Sequence, residues 1–230
     1  MNIESNEWDG HWSREFVTLN ILFRWYRKYI MSNALSYYFE KYFPKEGIFV
    51  ECGSGSSLTS HLIKKYNHNR KHNHNRKLIA VDISKKALQE ARSNGKIDEI
   101  IHADITKHLP FENESIDGIW NLGVMEHFTQ EEIDCAMKEF YRVLKKGSYI
   151  ILFIPPLYSS TGITYRFLEN AIYLVTRKKF RFYPPEISRP KSKAECRQMA
   201  KRNGFVDCKV FFPWRNCFGD LVLVARKPTK

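Results

Sequence analysis

Ile48-Phe49-Val50-Glu51-Cys52-Gly53-Ser54-Gly55-Ser56-Ser57 decides the fold, because in it an apolar strand runs straight into an acid and two alternating glycines. Strands buried on both faces of a parallel sheet read as unbroken apolar runs of this kind. Glycine takes positive φ and has no Cβ, so a strand ending in Gly-x-Gly ahead of a helix can turn tightly and bring a small ligand against bare backbone. The N–H groups of such a bend, with the helix N-terminus behind it, are expected to face that ligand.

Working outward, Lys77-Leu78-Ile79-Ala80-Val81-Asp82-Ile83-Ser84 reads as a second buried strand ending in an acid. Doubly wound folds place a carboxylate there, on ribose hydroxyls, roughly 20 residues after the glycines. The interval from Gly55 to Asp82 is 27 residues. Asn67-His68-Asn69-Arg70-Lys71 recurs six residues later as Asn73-His74-Asn75-Arg76-Lys77, and without that duplication the interval is 21. The duplicated stretch is therefore expected to be a lengthened surface loop, where insertion costs little. Its His68, His72 and His74 read as solvated loop residues rather than metal ligands. A third strand, Glu99 to Ala103, delivers Asp104, and a fourth, Ile116 to Trp120, delivers Asn121.

Taken in order, Glu-x-Gly-x-Gly from Glu51, Val81-Asp82-Ile83-Ser84, His102-Ala103-Asp104-Ile105, Leu109 to Asp117 and Gly123-Val124-Met125-Glu126-His127-Phe128 resemble a class I S-adenosylmethionine-dependent methyltransferase. Within that class the chain is similar to the small-molecule enzymes that include those of the ubiquinone pathway. The resemblance is close from Gly47 to Gly147 and looser beyond. It implies S-adenosylmethionine as cofactor. Gly53 and Gly55 would pass under its methionine and ribose portions, and Glu51 would orient the bend or reach the amino group. Asp82 would accept from the ribose hydroxyls, with Ile83 on the adenine face. Asp104 would accept from the adenine amino group, the Ile105 N–H would meet a ring nitrogen, and Asn121 would offer its carbonyl to the ammonium.

Departures from the pattern carry information too. Ser57 stands where a third glycine is frequent, and the final glycine of Gly-x-G-x-x-Gly is missing, which disfavours a nicotinamide oxidoreductase. Gly123 stands where some relatives have the first glutamate of a Glu-x-x-Glu-His metal set, so no metal is expected. His127 is the candidate general base, and packing beside the following helix is its alternative. Asn121-Leu122-Gly123 lacks the Asn-Pro-Pro-Tyr run of enzymes that methylate DNA bases or amide nitrogens.

The 230 residues carry a net charge of +12, which implies an anionic partner: a phosphorylated or otherwise acidic acceptor, a membrane surface or nucleic acid. Nucleic acid is the weakest of these, and a basic RNA methyltransferase or a non-catalytic cofactor-binding scaffold are the alternative functions. Five cysteines without a close-spaced pair, and no basic-then-apolar leader, point to a reducing cytoplasmic setting, with peripheral membrane contact as an option. Basic residues interrupt the aromatic-rich run Phe16 to Phe43, so it does not read as a span. Trp8, Trp12 and His11, near a terminus, need a surface to cover.

The expected architecture is α/β, a doubly wound, mostly parallel seven-stranded sheet in the order 3-2-1-4-5-7-6 with an antiparallel strand at one edge. Residues 1–46 read as an N-terminal helical arm, with helix over Glu15 to Lys41, and residues 47–230 as the methyltransferase domain. Helices open at Ser84, at the capping box Thr129-Gln130-Glu131-Glu132 and at Ser192, the second running to Gly147 and the third to Asn203-Gly204. A fifth strand spans Tyr149 to Ile154; Val206 to Phe212 and Gly219 to Ala225 form a closing hairpin. The segment at about 157–190 breaks the pattern and reads as a lid. Its Tyr158, Tyr165, Phe167 and Tyr173 are candidate walls for a small-molecule or lipid-linked acceptor.

Overall fold

The computed structural model describes residues 8–9, 24–60, 62–63, 75–177 and 185–230. Seven strands form one sheet in the order β3-β2-β1-β4-β5-β7-β6: β1 Glu46–Cys52, β2 Asn75–Asp82, β3 Glu99–His102, β4 Ile116–Leu122, β5 Leu144–Ile154, β6 Val206–Phe211 and β7 Leu221–Arg226. The first five are parallel, and β7 runs antiparallel to both β5 and β6. The expected order is the observed one. Because β7 runs backwards, its first residue lies at the edge where β1, β4 and β5 end, with Leu221 opposite Ile154.

Helices cover both faces, as the near-continuous apolar strands require. On one face, α1 Ser32–Tyr42 buries Ala34, Leu35, Tyr38 and Phe39 against Phe49, Trp120, Phe153 and Val222. On the other, α3 Gln130–Val143 and α5 Lys193–Arg202 bury Ile133, Met137, Phe140, Cys196 and Met199 over Val50, Ile119, Ile150 and Leu223. The Thr129 capping box is complete, with Thr129 Oγ1 accepting from Glu132 N and Glu132 accepting from Thr129 N. α3 stops four residues before Gly147, because Leu144 has already paired with Ile116 to begin β5. α2 Lys85–Ser93 is capped by Ser84, whose side chain accepts from Ala87 N.

Two local findings revise the sequence reading. The chain entering α1 is a π-helical turn, Tyr26–Met31, a form common at functional sites. The end of the duplicated stretch is not loop: Asn75, Arg76 and Lys77 begin β2 opposite Glu46, Gly47 and Ile48. Arg76 is buried, donating to the Pro44 and Phe43 carbonyls past the C-terminus of α1, pairing with Glu40 and lying over the rings of Phe39 and Phe49. A cation belongs at that negative helix end, so Arg76 of the second copy has been taken into the core. The three loop histidines, Trp12, His11 and the start of the expected first helix lie outside the described residues.

α4 Ser160–Thr176 follows β5. Leu157 N donates to Pro190 O at 3.0 Å, so the two ends of this excursion meet. Among the described residues no helix is long and apolar enough to cross a membrane.

Candidate active site

The bend after β1 is built as an interlock with β2. Gly53 N and Ser54 N both donate to Val81 O, at 2.8 and 3.0 Å, and Gly55 N donates to Asp82 Oδ2 at 2.7 Å. Those N–H groups, expected to face a ligand, are turned to the neighbouring strand. Gly53 has φ +68 and a Cβ there would stand 2.5 Å from Val124 Cγ2, so no side chain fits. Ser57 has φ +50, the conformation a glycine would take freely. Its hydroxyl is buried and makes no hydrogen bond.

Asp82 closes the bend. Its Oδ1 accepts from Ser84 N at 2.8 Å and its Oδ2 from Gly55 N. Burial pushes the carboxyl up, and the Ser84, Gly55 and Ile83 N–H groups pull it back. A carboxylate has about four lone-pair sites, so each oxygen retains capacity for a ribose hydroxyl. Ile83 is half-buried beside it, its carbonyl held by His102 Nε2 at 2.8 Å. Asp104 lies on the same edge, since Asp82 pairs with His102 and Ala103 N donates to Asp82 O. Asp104 Oδ1 accepts from Thr106 N and Oγ1, Oδ2 lies 3.4 Å from Lys107 Nζ, and Ile105 is buried beneath.

Glu51 points to the α1 face of the sheet and is buried. Ser60 Oγ donates to it at 2.9 Å and Thr59 Oγ1 at 3.4 Å. Burial pushes its carboxyl up to about 7, while the Ser60 hydroxyl and the Arg27 charge pull it down. Asn121, fully buried at the end of β4, has neither amide atom hydrogen-bonded. Buried amide groups are normally satisfied, so Asn121 is shaped for a ligand.

Past β4 the chain makes a short turn through Met125–His127. His127 is buried, donates from Nδ1 to Pro185 O at 3.1 Å and meets the Trp8 ring edge-on at 5.0 Å. Burial lowers its pKa below that of a free imidazole. Glu126 is buried beside it, with Oε1 3.8 Å from His127 Nε2 and Oε2 without a partner. The Glu126 carbonyl accepts from Ile187 N and Ser188 N, which docks the end of the excursion on this turn. Burial, reinforced by the Glu186 charge, pushes the Glu126 carboxyl up to about 8. Asp220, just before β7, is pushed up to about 7 by burial and then by Glu126, against Arg27 and Arg189.

Sequence reasoning did not single out Arg27, Arg189, Asn216 or Asp220. Asp220 could have been found from the antiparallel β7, whose first residue must lie on this edge. The other three carry no local signal. Three of the candidate acceptor walls, Tyr158, Phe167 and Tyr173, are exposed, and only Tyr165 is half-buried. Trp8 does cover a surface, and Asp9 beside it accepts from Ser84 Oγ at 2.6 Å, so residues 8–9 reach from the end of β2 to the turn after β4. Among the described residues no group of three metal-ligating side chains comes together. Two of the five thiols, Cys52 and Cys196, are buried, while Cys135 and Cys217 are exposed.

The residues fit S-adenosylmethionine: a carboxylate with spare capacity closes a bend that excludes side chains, next to an unpartnered buried amide. The chain matches a family profile described as a methyltransferase domain over residues 50–152. It is similar to a SAM-dependent methyltransferase from Thermotoga maritima, at 22% identity and TM-score 0.61 over 93% of this chain and 96% of that one. It is also similar to one from Methanosarcina mazei, at 17% identity and TM-score 0.57 over 83% and 97% of the two chains. The PH0226 protein from Pyrococcus horikoshii shares the fold at 20% identity and TM-score 0.57, over 84% and 87%. No curated protein matches the sequence. Residues 50–152 match a methyltransferase domain, and the strand order and cradle fit the fold of class I S-adenosylmethionine-dependent enzymes.

Proposed function

We propose that the acceptor is a small or lipid-linked molecule that enters over the ends of β4, β5 and β7. The supporting observation is the divided sheet edge, with a bend already interlocked at β1 to β3 and an adjoining cluster of buried polar side chains on whose turn Pro185, Ile187 and Ser188 dock. When bound, S-adenosylmethionine supplies a methyl group already activated on a sulfonium. The protein's task is alignment and exclusion of water. Glu51, Gly53, Gly55, Asp82, Asp104 and Asn121 would hold the cofactor, while Trp8 and the excursion cover the edge.

A lipid-linked acceptor is favoured by α4. Ile163, Phe167 and Leu174, spaced four and seven residues apart, are exposed along one stripe, with exposed Arg166 and Arg177 flanking it. Apolar residues with basic neighbours on one helix face suit an anionic lipid surface, and the sequence continues as Lys178-Lys179-Phe180-Arg181. This surface would take the acidic or lipidic part of an acceptor outside that cluster and leaves the methylated group open.

The test is label transfer from methyl-labelled cofactor into separate polar-metabolite, lipid and RNA pools, with flotation on anionic and neutral vesicles. Label in the lipid or polar pool is expected, with flotation on anionic vesicles only. Label confined to RNA would overturn the acceptor class.

A further inference from the structure

Buried hydrogen-bonding atoms near Glu126 are unmet, and the donors among them, Arg189 Nε and Nη1, lie on a guanidinium that packs against Gly162. Glu126 Oε2 and Asn216 Oδ1 are buried acceptors without donors. Asn216 sits against Asp220, since its Nδ2 donates to Asp220 O at 3.0 Å, and Tyr26 Oη fixes it from below by donating to Asn216 O at 2.8 Å. Fully buried acceptors left unmet are costly, and removing that cost is what a matching ligand does.

The charges in the same space point the same way. Glu126, Asp220 and Glu186 interact there with Arg27 and Arg189, three carboxyl groups against two guanidinium groups. Arg189 is paired with Glu186 and lies against Gly162 in the first turn of α4, its Nε and Nη1 unbonded. Arg27 enters from the π-helical turn before α1. Glu126 and Asp220 raise each other's cost of ionisation, which a third cation between them would relieve.

Resting on the methyltransferase reading, we infer that this cluster takes the acceptor by an amine, whose N–H groups bond Glu126, Asp220 and Asn216, and that Asp220 accepts the proton the nitrogen must lose. An ammonium brings three donors and one positive charge, which answers both deficits. The step balances without another reactant: one N–H proton moves to Asp220, an N–C bond forms as the C–S bond breaks, and that bond's electron pair stays on sulfur. His127 is less suited to the task, since its Nδ1–H is committed to Pro185 and its ring is covered by Trp8.

The assignment can be tested without turnover. n-Hexylamine, n-hexanol and hexanoate are titrated by calorimetry into the protein in the presence of S-adenosylmethionine, whose own binding is measured first. The amine is expected to bind, the alcohol more weakly and the carboxylate not detectably. Asp220→Asn and Glu126→Gln should each weaken the amine by about tenfold or more, the scale of a charge-assisted hydrogen bond, with cofactor affinity unchanged.

In the unmutated protein, amine affinity should rise from pH 6 to pH 8 as Asp220 ionises, with Glu126, Glu186, Glu51, Arg27, Arg189, Tyr26 and His127 as the surrounding charged or titratable groups. Cofactor binding with preferred binding of hexanoate, with no amine binding, or with amine affinity indifferent to both substitutions would overturn the inference and leave the methyltransferase reading standing. Failure of the cofactor itself to bind would instead sink that reading.

Discussion

The two halves of the sheet edge are built on opposite principles. At β1 to β3 the site is made of backbone: Val81 O, Gly53 N, Ser54 N and Gly55 N lock two strand ends together, and Asp82 is held by main-chain N–H groups. At β4 to β7 it is made of side chains brought from residues 27, 126, 189, 216 and 220, several with polar atoms unmet. A backbone cradle suits a cofactor common to many enzymes, whereas unmet side-chain atoms are what a particular acceptor would satisfy. The first half is therefore expected to tolerate little and the second to respond to ligand and pH.

The sharpest way to break this contrast is Asp82→Ala. It removes two charge-assisted bonds within the bend, orphans Gly55 N and Ser84 N, and takes away the ribose acceptor. Such losses sum to about 3 kcal/mol or more, so cofactor affinity measured by calorimetry should fall more than about 100-fold. Retained affinity would mean that the bend binds nothing through Asp82, and the division of the edge would lose its first member.

Next in size is Gly53→Ala. The added methyl would meet Val124 at 2.5 Å in a backbone held at φ +68, combining overpacking with left-handed strain. The expected cost is about 3 kcal/mol, a Tm lower by about 10 °C. Val124 belongs to the turn that carries Glu126 and His127, so this one glycine joins the two halves. A variant of unchanged Tm would show that they are mechanically independent.

Legibility in the sequence follows the same division. Gly53, Gly55, Asp82 and Asp104 stand at strand ends, and each strand announces itself by a local apolar run, so order and cradle could be read from neighbours in sequence. Arg27, Arg189, Asn216 and Asp220 lie in a helix entry, a loop and a hairpin, and only tertiary folding brings them together. Arg76 shows the converse error. Its composition says solvated loop, yet the carbonyls ending α1 and the rings of Phe39 and Phe49 make a buried place for one guanidinium. Of the four aromatic wall candidates Tyr158, Phe167 and Tyr173 are exposed and Tyr165 is half-buried, because the spacing of an amphipathic helix does not say which stripe faces inward.

A smaller effect separates the halves by pH. Glu126 and Asp220, in the acceptor half, have folded-state pKa values of about 8 and 7, raised above their ordinary carboxylate values. Between those ordinary values and about 8 the folded chain holds protons that the unfolded chain has released, so stability declines as pH rises through that window. The cofactor-free protein should melt about 5 °C lower at pH 8 than at pH 6, and Glu126→Gln should flatten part of that slope. A Tm that rises over the same interval would mean that these carboxyl groups are stabilised as anions, and the acceptor half would then be as settled as the cofactor half.

The smallest effect bears on the one unmet hydroxyl of the bend. Ser57 is non-glycine at φ +50, and its buried hydroxyl, though near enough to Glu51 to lower its pKa, makes no hydrogen bond. Ser57→Gly relieves left-handed strain and an unsatisfied hydroxyl, and it gives back part of this through the greater freedom of glycine in the unfolded chain. The net gain for the cofactor-free protein should be about 1 kcal/mol or less, seen as a slightly higher Tm. If the hydroxyl is a pure vestige of the missing third glycine, cofactor affinity will not change. If affinity falls by a few-fold while the free protein gains stability, Ser57 is a side-chain contact for the ligand, and the bend also keeps one group unmet until its ligand arrives.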